Sequence, residues 1–462
     1  MYKKTNHIHF VGIGGIGMSG IAELLLNLGY HVSGSDLSTS AITDNLAKLG
    51  GDIFIGHRKE WIKGADVIVT SSAISDKNEE VVAARELFIP VIQRAEMLAE
   101  LMRLKKFGIA IAGSHGKTST TSMVSWMLFK AKLDPTVVVG GKVDSLGGNA
   151  KLGEGEFLVA EADESDGSFL KLAPVIEVVT NIDLEHLDYY RDLAHIKESF
   201  LSFIDRVPFY GAVILCIDDA NIAAILPSIG KRTISYGMTS QADVYAEKIY
   251  FSEGRVFFEV VKGENVLGKI DIAPPGKHNV YNALAAVCVG LELEIPFAVI
   301  QGALRSYEGV QRRMQLKGLA KGVTIVDDYG HHPTEIRATL EAIKEAWPEK
   351  RLVVAFQPHR YSRTKALFSE FLTCFHRADF LILTDIYAAS EVPLPSISSE
   401  LLLEEIKRHG QRYTMYVADV DDLAVKAETI LKEGDLFLTL GAGNIVAAGE
   451  QLLEVLKAGD EA

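Results

Sequence analysis

The sequence predicts an α/β chain of about three domains with mostly parallel sheets, and three observations carry that reading. At 462 residues the chain exceeds the size at which one hydrophobic core keeps growing, so roughly three domains are expected. Short β-branched runs alternate with helical stretches, the rhythm of repeated βαβ units. A strand, a glycine-rich or polar loop and a helix also restart three times, near residues 7, 107 and 321.

The elements follow in order. HIHFVGI, HVSGSD, DIFIG, DVIVTSSA and PVIQ read as strands of a first parallel sheet, with MSGIAELLLNLG as its first helix. MLAELMRLKK is a helix ending in basic residues, and a domain boundary is expected at Lys105 and Lys106. FGIAIAGSHGKTSTTSMVSWMLFKA restarts the pattern, and EFLVAEAD, VIEVVTNID and GAVILCIDD extend it. Alternation of period two from residue 243, broken at Glu253-Gly254 and Gly263-Glu264-Asn265, predicts antiparallel hairpins on one sheet edge. GKHNVYNALAAVCVGLEL reads as a buried helix. A second boundary is expected at 318–322, giving domains 1–105, 106–318 and 319–462, the last opening on KGVTIVDDYGHHPTE.

Composition excludes several classes. With 48% hydrophobic and 23% charged residues the chain is neither disordered nor fibrous. Lys+Arg 47 against Asp+Glu 61 leaves −14, which repels nucleic acid and anionic lipid, so an anionic ligand needs a local site. Cys216, Cys288 and Cys374 are too few and too scattered for a disulfide framework and fit a reducing compartment. No apolar run reaches the ~20 residues that cross a bilayer. A cytoplasmic protein with no nucleic-acid partner and no membrane insertion is expected.

Gly12, Gly14 and Gly17 form G-x-G-x-x-G between strand and helix, with Asp36 at the end of the next strand. Such a turn lets backbone approach a pyrophosphate at a helix N-terminus, or simply packs helix on sheet. The second turn, Gly113-Ser114-His115-Gly116-Lys117-Thr118, matches a phosphate-cradling loop, although Ile111 stands where the strict pattern has glycine. An ATP site is expected there. Glu161, Asp163, Glu164 and Asp166 crowd a strand end, where they would hold a metal or form a solvated acidic loop. His186 follows the next strand; a histidine in the set would admit Mn²⁺ as well as Mg²⁺. Arg312-Arg313, DDYGHHPTE and QPHRYSRT place arginine, histidine and tyrosine beside the third unit's strands, where Arg360 and Arg363 could bind a carboxylate or phosphate.

These residues resemble the Mur ligase family of bacterial cell-wall synthesis, from VGIGGIGMSG through GSHGKT, EADESD, NIDLEHLD, KHNVYNA, DDYGHHPTE and QPHRYSRT to GAGNI at 441–445, nearly the whole chain. The likeness is strongest to the branch that adds L-alanine. It implies an N-terminal Rossmann-like domain for a UDP moiety, a central P-loop-type ATPase domain, and a C-terminal Rossmann-like domain closing over an amino-acid site. It further implies that Gly14, Gly15, Ile16, Gly17 and Met18 cradle the UDP pyrophosphate, with Asp36 and Ser72 near the nucleoside. Gly113, Ser114, His115, Gly116, Lys117, Thr118 and Ser119 would form the ATP loop, and Thr118, Glu161 and His186 would hold Mg²⁺. Asn279 and Asn282 would meet adenine, Arg313 a phosphate, and Tyr329, His359, Arg360 and Arg363 the muramyl carboxylate and incoming alanine. Lys117, Glu161, His186, His359, Arg360 and Arg363 are then the expected catalytic residues. Ser114 stands for the family's threonine, and Tyr307 and Met314 for phenylalanines. Phe200 occupies the position where several siblings carry a carbamylated lysine, so that modification is not expected.

The implied reaction uses ATP to phosphorylate the lactyl carboxylate of UDP-N-acetylmuramate, and L-alanine attacks the acyl phosphate. Phosphorylation supplies the leaving group a carboxylate lacks, while cations must offset the repulsion of two anions and the site must exclude water. His359 or His332 could take the amine proton. Two rivals stand on the residues alone: an NAD-dependent oxidoreductase built on the first glycine turn, and a non-catalytic ATP-driven switch.

Overall fold

The computed structural model describes residues 5–71, 73–143, 148–186, 189–252, 254–273, 275–389 and 391–458. Ser72 and Glu253, both singled out by the sequence, lie outside the described residues. By packing, the chain divides into two compact units, one of residues 1–248, 258–270 and 281–307, the other of 249–257, 271–280 and 308–462.

In the first unit, β1 (His7–Val11), β2 (His31–Asp36), β3 (Asp52–Ile55), β4 (Val67–Thr70) and β5 (Val91–Gln93) form a sheet of order β3-β2-β1-β4-β5, parallel throughout. Both faces are covered, and Ile8, Phe10 and Val11 of β1 are fully buried. Gly34 in β2 passes under the first glycine turn: a Cβ there would stand 2.6 Å from Ile13 Cδ1 and 2.9 Å from the Phe10 carbonyl oxygen.

The second sheet comprises β6 (Phe107–Ala112), β7 (Thr136–Val143), β8 (Gly148–Lys151), β9 (Phe157–Glu161), β10 (Ile176–Val179), β11 (Ala212–Cys216), β12 (Thr233–Gly237), β13 (Val244–Ser252), β14 (Arg255–Lys262) and β15 (Asn265–Ile272), ordered β15-β14-β13-β12-β11-β10-β6-β9-β7-β8. Central β6, with Ile109, Ala110, Ile111 and Ala112 fully buried, lies parallel between β9 and β10 and feeds the helix Lys117–Lys130. Only residues 263–264 join β14 to β15, too few for a parallel crossover, so these strands make the expected hairpin.

The second unit holds β16 (Gln315–Ala320), β17 (Val323–Asp328), β18 (Leu352–Phe356), β19 (Phe380–Leu383), β20 (Thr414–Tyr416) and β21 (Leu436–Leu440), ordered β16-β17-β21-β18-β19-β20. All pairings are parallel except β16 with β17. This sheet begins ahead of the division expected at 318–322. The glycine-bearing stretch that reads as a linker is a hairpin turn, with Gly322 at φ 72°, and Gln315–Ala320 is the edge strand before it. Ile336, Leu340 and Ile343 pack on one face of the sheet, Ile445 and Leu452 on the other.

Each sheet carries a loop at the carboxyl end of its leading parallel strand, where open α/β sheets take ligands: residues 12–15 after β1, 113–116 after β6 and 329–332 after β17. Gly34→Ala forces Ile13 out of place and is expected to cost about 1–3 kcal/mol, read as a lower midpoint in urea denaturation.

Candidate active site

The first glycine turn enters the helix Ile16–Asn27 through Gly15, and no side chain caps it. The Gly14 N–H donates to Asp36 Oδ2 at 2.8 Å, so the acid at the end of β2 closes on the turn itself. Asp36 Oδ1 accepts from the Leu37 N–H. At the far end of the turn the Arg94 side chain lies against Gly17. Ile16 is exposed and Met18 buried.

The second turn is built more tightly. Gly113 (φ 130°) and Gly116 (φ 81°) adopt conformations that other residues avoid; a Cβ on Gly113 would collide with the Thr180 hydroxyl, and one on Gly116 would stand 2.5 Å from Asn282 Oδ1. Strand β10, beside β6, supplies the clamp. The Thr180 hydroxyl donates to the His115 carbonyl at 2.6 Å, Asn181 Nδ2 donates to the same oxygen at 2.9 Å, and Asn181 Oδ1 accepts the His115 N–H at 2.8 Å. Ser114 Oγ accepts the Asp183 N–H, and Asp183 also meets His115 Nε2 at 3.1 Å. Gly116 caps the helix Lys117–Lys130 without a side-chain bond, which suits an anion at the first-turn N–H groups. Ser119 lies in that first turn, and Thr120 donates to Asn282 Oδ1 at 3.1 Å.

Lys117 folds back over the turn, its Nζ donating to the Gly113 carbonyl (2.6 Å), the Ser114 carbonyl (3.2 Å) and Glu164 Oε1 (2.8 Å). Burial pushes the ammonium down, but Glu164 and Glu161 outweigh it and hold it above the ordinary lysine range. Thr118 Oγ1 donates to both Glu161 oxygens at 3.0 and 3.1 Å. His186, at φ 55°, puts Nε2 3.4 Å from Glu164 Oε1 and 3.7 Å from Glu185 Oε2. Burial lowers its basicity, but the Glu164 hydrogen bond and charge raise it further, for a net rise.

Ligand atoms of Glu164, Glu185 and His186 lie within 4.8 Å of one another. Glu164 is buried, and its Oε2 has no hydrogen-bond partner among the described residues. An orphaned carboxylate oxygen beside Glu185 and His186 is a donor set that a divalent cation fits. Sequence reading missed Glu185 and the clamp residues Asn181 and Asp183, which reach the turn because β10 pairs with β6.

Asn279 and Arg313 belong to the second unit, where Asn279 Nδ2 donates to the Pro275 carbonyl and Arg313 pairs with Glu335 at 3.2 Å. Arg312 donates to Asp327 and to the Gly441 and Gly443 carbonyls, and both guanidinium groups lie over the Tyr329 ring, at 5.0 and 5.4 Å. His332 caps the helix Pro333–Ala346, its ring nitrogen accepting from the Thr334 N–H while Glu335 completes the capping box. That corrects its reading as a base: the Nδ1 lone pair is committed to the cap. His359 accepts from Arg363 Nη1 at 3.1 Å and stacks on Tyr387; the Arg360 N–H donates to the Tyr387 carbonyl. Burial, Arg363 and Arg360 push His359 down to about 4.

A glycine turn between strand and helix, a lysine folded over it and an acid-histidine cluster at the same sheet edge give this α/β protein a place able to hold an anionic ligand with a cation. Three family models match in succession: the Mur ligase family catalytic domain over residues 7–106, the Mur ligase middle domain over 111–290, and the Mur ligase glutamate ligase domain over 312–443. The chain belongs to the Mur ligase family. It is 67% identical over 456 residues, 99% of both chains, to the UDP-N-acetylmuramate--L-alanine ligase of Desulfotalea psychrophila, and 58% identical over 458 residues, again 99% of both, to that of Geobacter sulfurreducens. Among solved structures it resembles the UDP-N-acetylmuramate-alanine ligase of Thermotoga maritima, with TM-score 0.83 and 29% identity over 98% of this chain and 99% of that one.

Burial also pushes His331 down to about 3 and His278 down to about 4, so with His359 three histidines stay neutral in the fold while unfolded chains protonate near 6.5. Between about 4 and 6.5 the unfolded state then binds more protons, and this contribution to stability rises with pH. Asp328, pushed up to about 6 by burial, acts in the opposite direction below that pH. His331→Gln is expected to flatten, and Asp328→Asn to steepen, the rise of unfolding free energy between pH 4 and 6.5 in urea titrations.

Proposed function

We propose that the chain is an ATP-dependent, ADP-forming ligase that joins L-alanine to the lactyl carboxylate of UDP-N-acetylmuramate through an acyl phosphate, working in the cytoplasm during peptidoglycan precursor synthesis. The observation that carries this reading is Lys117, a desolvated cation at the mouth of a glycine-clamped turn, in a chain two-thirds identical to a ligase of that name. Three buried, unpaired cysteines suit a reducing compartment, and no helix of the described residues is long and apolar enough to cross a membrane.

The domain roles fall along the chain: 1–105 for the UDP moiety, 106–318 for ATP, and 319–462, with the strand Gln315–Ala320 attached, for the amino acid. Gly14, Gly15, Ile16, Gly17 and Met18 take the pyrophosphate, with Asp36 and Ser72 on the nucleoside side. Gly113 through Ser119 take the triphosphate, Asn279 and Asn282 the adenine, and Arg313 a phosphate. Lys117 exchanges its two loop carbonyls for phosphate oxygens and offsets the charge that builds as carboxylate approaches phosphate. Thr118, Glu161 and His186, joined by Glu164 and Glu185, hold Mg²⁺ or Mn²⁺, which when bound neutralises phosphate charge. Tyr329, Arg360 and Arg363 orient the carboxylate and the amino acid. His359, whose ring nitrogen accepts from Arg363 Nη1, holds that guanidinium toward the incoming amino acid. The dinucleotide reading is disfavoured because it leaves the second glycine turn, clamped by Thr180 and Asn181, without a role.

Phosphate release from ATP is expected only when UDP-N-acetylmuramate and L-alanine are both present; equal release without the amino acid overturns the ligase reading. Lys117→Ala is expected to lower kcat by ~10²–10³ with the fold retained, read as an unchanged far-ultraviolet circular dichroism spectrum, and with a lower melting temperature because Glu164 loses its counter-charge. Glu164→Gln should raise the Mg²⁺ concentration giving half-maximal rate by about tenfold or more, measured by metal titration of the same assay.

A further inference from the structure

Arg94 opens the helix Arg94–Arg103 directly after β5, at the ligand-binding edge of the first sheet. Its Nη2 donates to Asp163 Oδ2 at 3.0 Å, and Asp163 lies in the acid loop between Glu161, which holds Thr118, and Glu164, which holds Lys117. The other side of the guanidinium rests on the glycine turn: a Cβ on Gly17 would stand 2.8 Å from Arg94 Nη1 and 3.2 Å from its Cδ. One cation therefore touches both ligand-bearing loops of the first unit.

The glycine turn is also electrically divided. At one end the Asp36 carboxylate accepts from the Gly14 N–H, so a pyrophosphate oxygen reaches that N–H only by displacing it. At the other end Arg94 stands beside Gly17 and attracts one. The third glycine of such a turn usually serves close packing of helix on strand; here the space it leaves is filled by a guanidinium. A partly exposed ion pair contributes little to stability, so fold stability does not account for the arrangement.

We propose that Arg94 is a positioning residue that couples the two sites: it takes a pyrophosphate oxygen of the UDP substrate at the Gly17 end and, through Asp163, sets the acid loop that grips the ATP site. Each ligand then binds more tightly when the other is present. The proposal rests on the functional reading above. It is tested on the full chain by calorimetry, with a non-hydrolysable ATP mimic and Mg²⁺ titrated with and without saturating UDP-N-acetylmuramate, and no alanine. The unaltered protein is expected to bind the mimic about fivefold or more tightly in the presence of the UDP substrate. Arg94→Gln and Asp163→Asn should each bring that ratio to one, the double variant should go no further, and Arg94→Lys should restore part of it, all with matched melting temperatures. A ratio retained in Arg94→Gln, or absent in an unaltered protein that binds both ligands singly, overturns the coupling. An unaltered protein that binds neither ligand overturns the functional reading and this inference with it.

Discussion

Lys117 Nζ sits among three oxygen atoms, two from its own loop and one from Glu164, and the residue types around it follow from keeping that cation in place. An ammonium taken out of water needs both a counter-charge and full hydrogen bonding. Glu164 supplies the charge, and its backbone is fixed by Tyr190, whose hydroxyl donates to the Glu164 carbonyl at 2.6 Å. The loop carbonyls can converge only because Gly113 and Gly116 take up backbone angles closed to other residues. Thr180 and Asn181 then lock His115 so that the carbonyls stay aimed inward.

The chain's −14 net charge would repel nucleotides over long range, so attraction has to be local and pre-paired. The structure meets this with cations already held by acids: Lys117 by Glu164, Arg94 by Asp163, Arg313 by Glu335. Each acid keeps its cation oriented. In the second unit the opposite device appears: histidines 278, 331 and 359 are kept uncharged by burial and nearby guanidinium groups, leaving arginine as the fixed positive charge beside them.

Much of this was readable in the chain because buried parallel strands are continuous apolar runs and their loops follow immediately. The strands at 7–11, 107–112 and 323–328 announce themselves this way, and so do the turns after them. Gln315–Ala320 escaped because an edge strand exposed on one side lacks that signature, with Leu316 and Leu319 facing solvent. The clamp on His115 was illegible for a different reason: it depends on β10 lying beside β6, a matter of sheet order that no spacing along the chain encodes. Asp36 and His332 were readable as residue types but not as partners, since short polar side chains beside turns and helix starts satisfy local N–H groups before they meet a ligand.

The placement of β6 between strands that come later has a consequence for synthesis. The Thr180–His115 bond spans 65 positions of sequence, so when the ribosome has delivered the glycines, lysine and threonine of the second glycine turn, the parts that hold it rigid have not yet been made. A nascent chain ending before β10 carries the whole phosphate-loop signature without a shaped cradle. The turn can therefore take its final shape only after residues 180 and 181 have left the exit tunnel and joined the sheet.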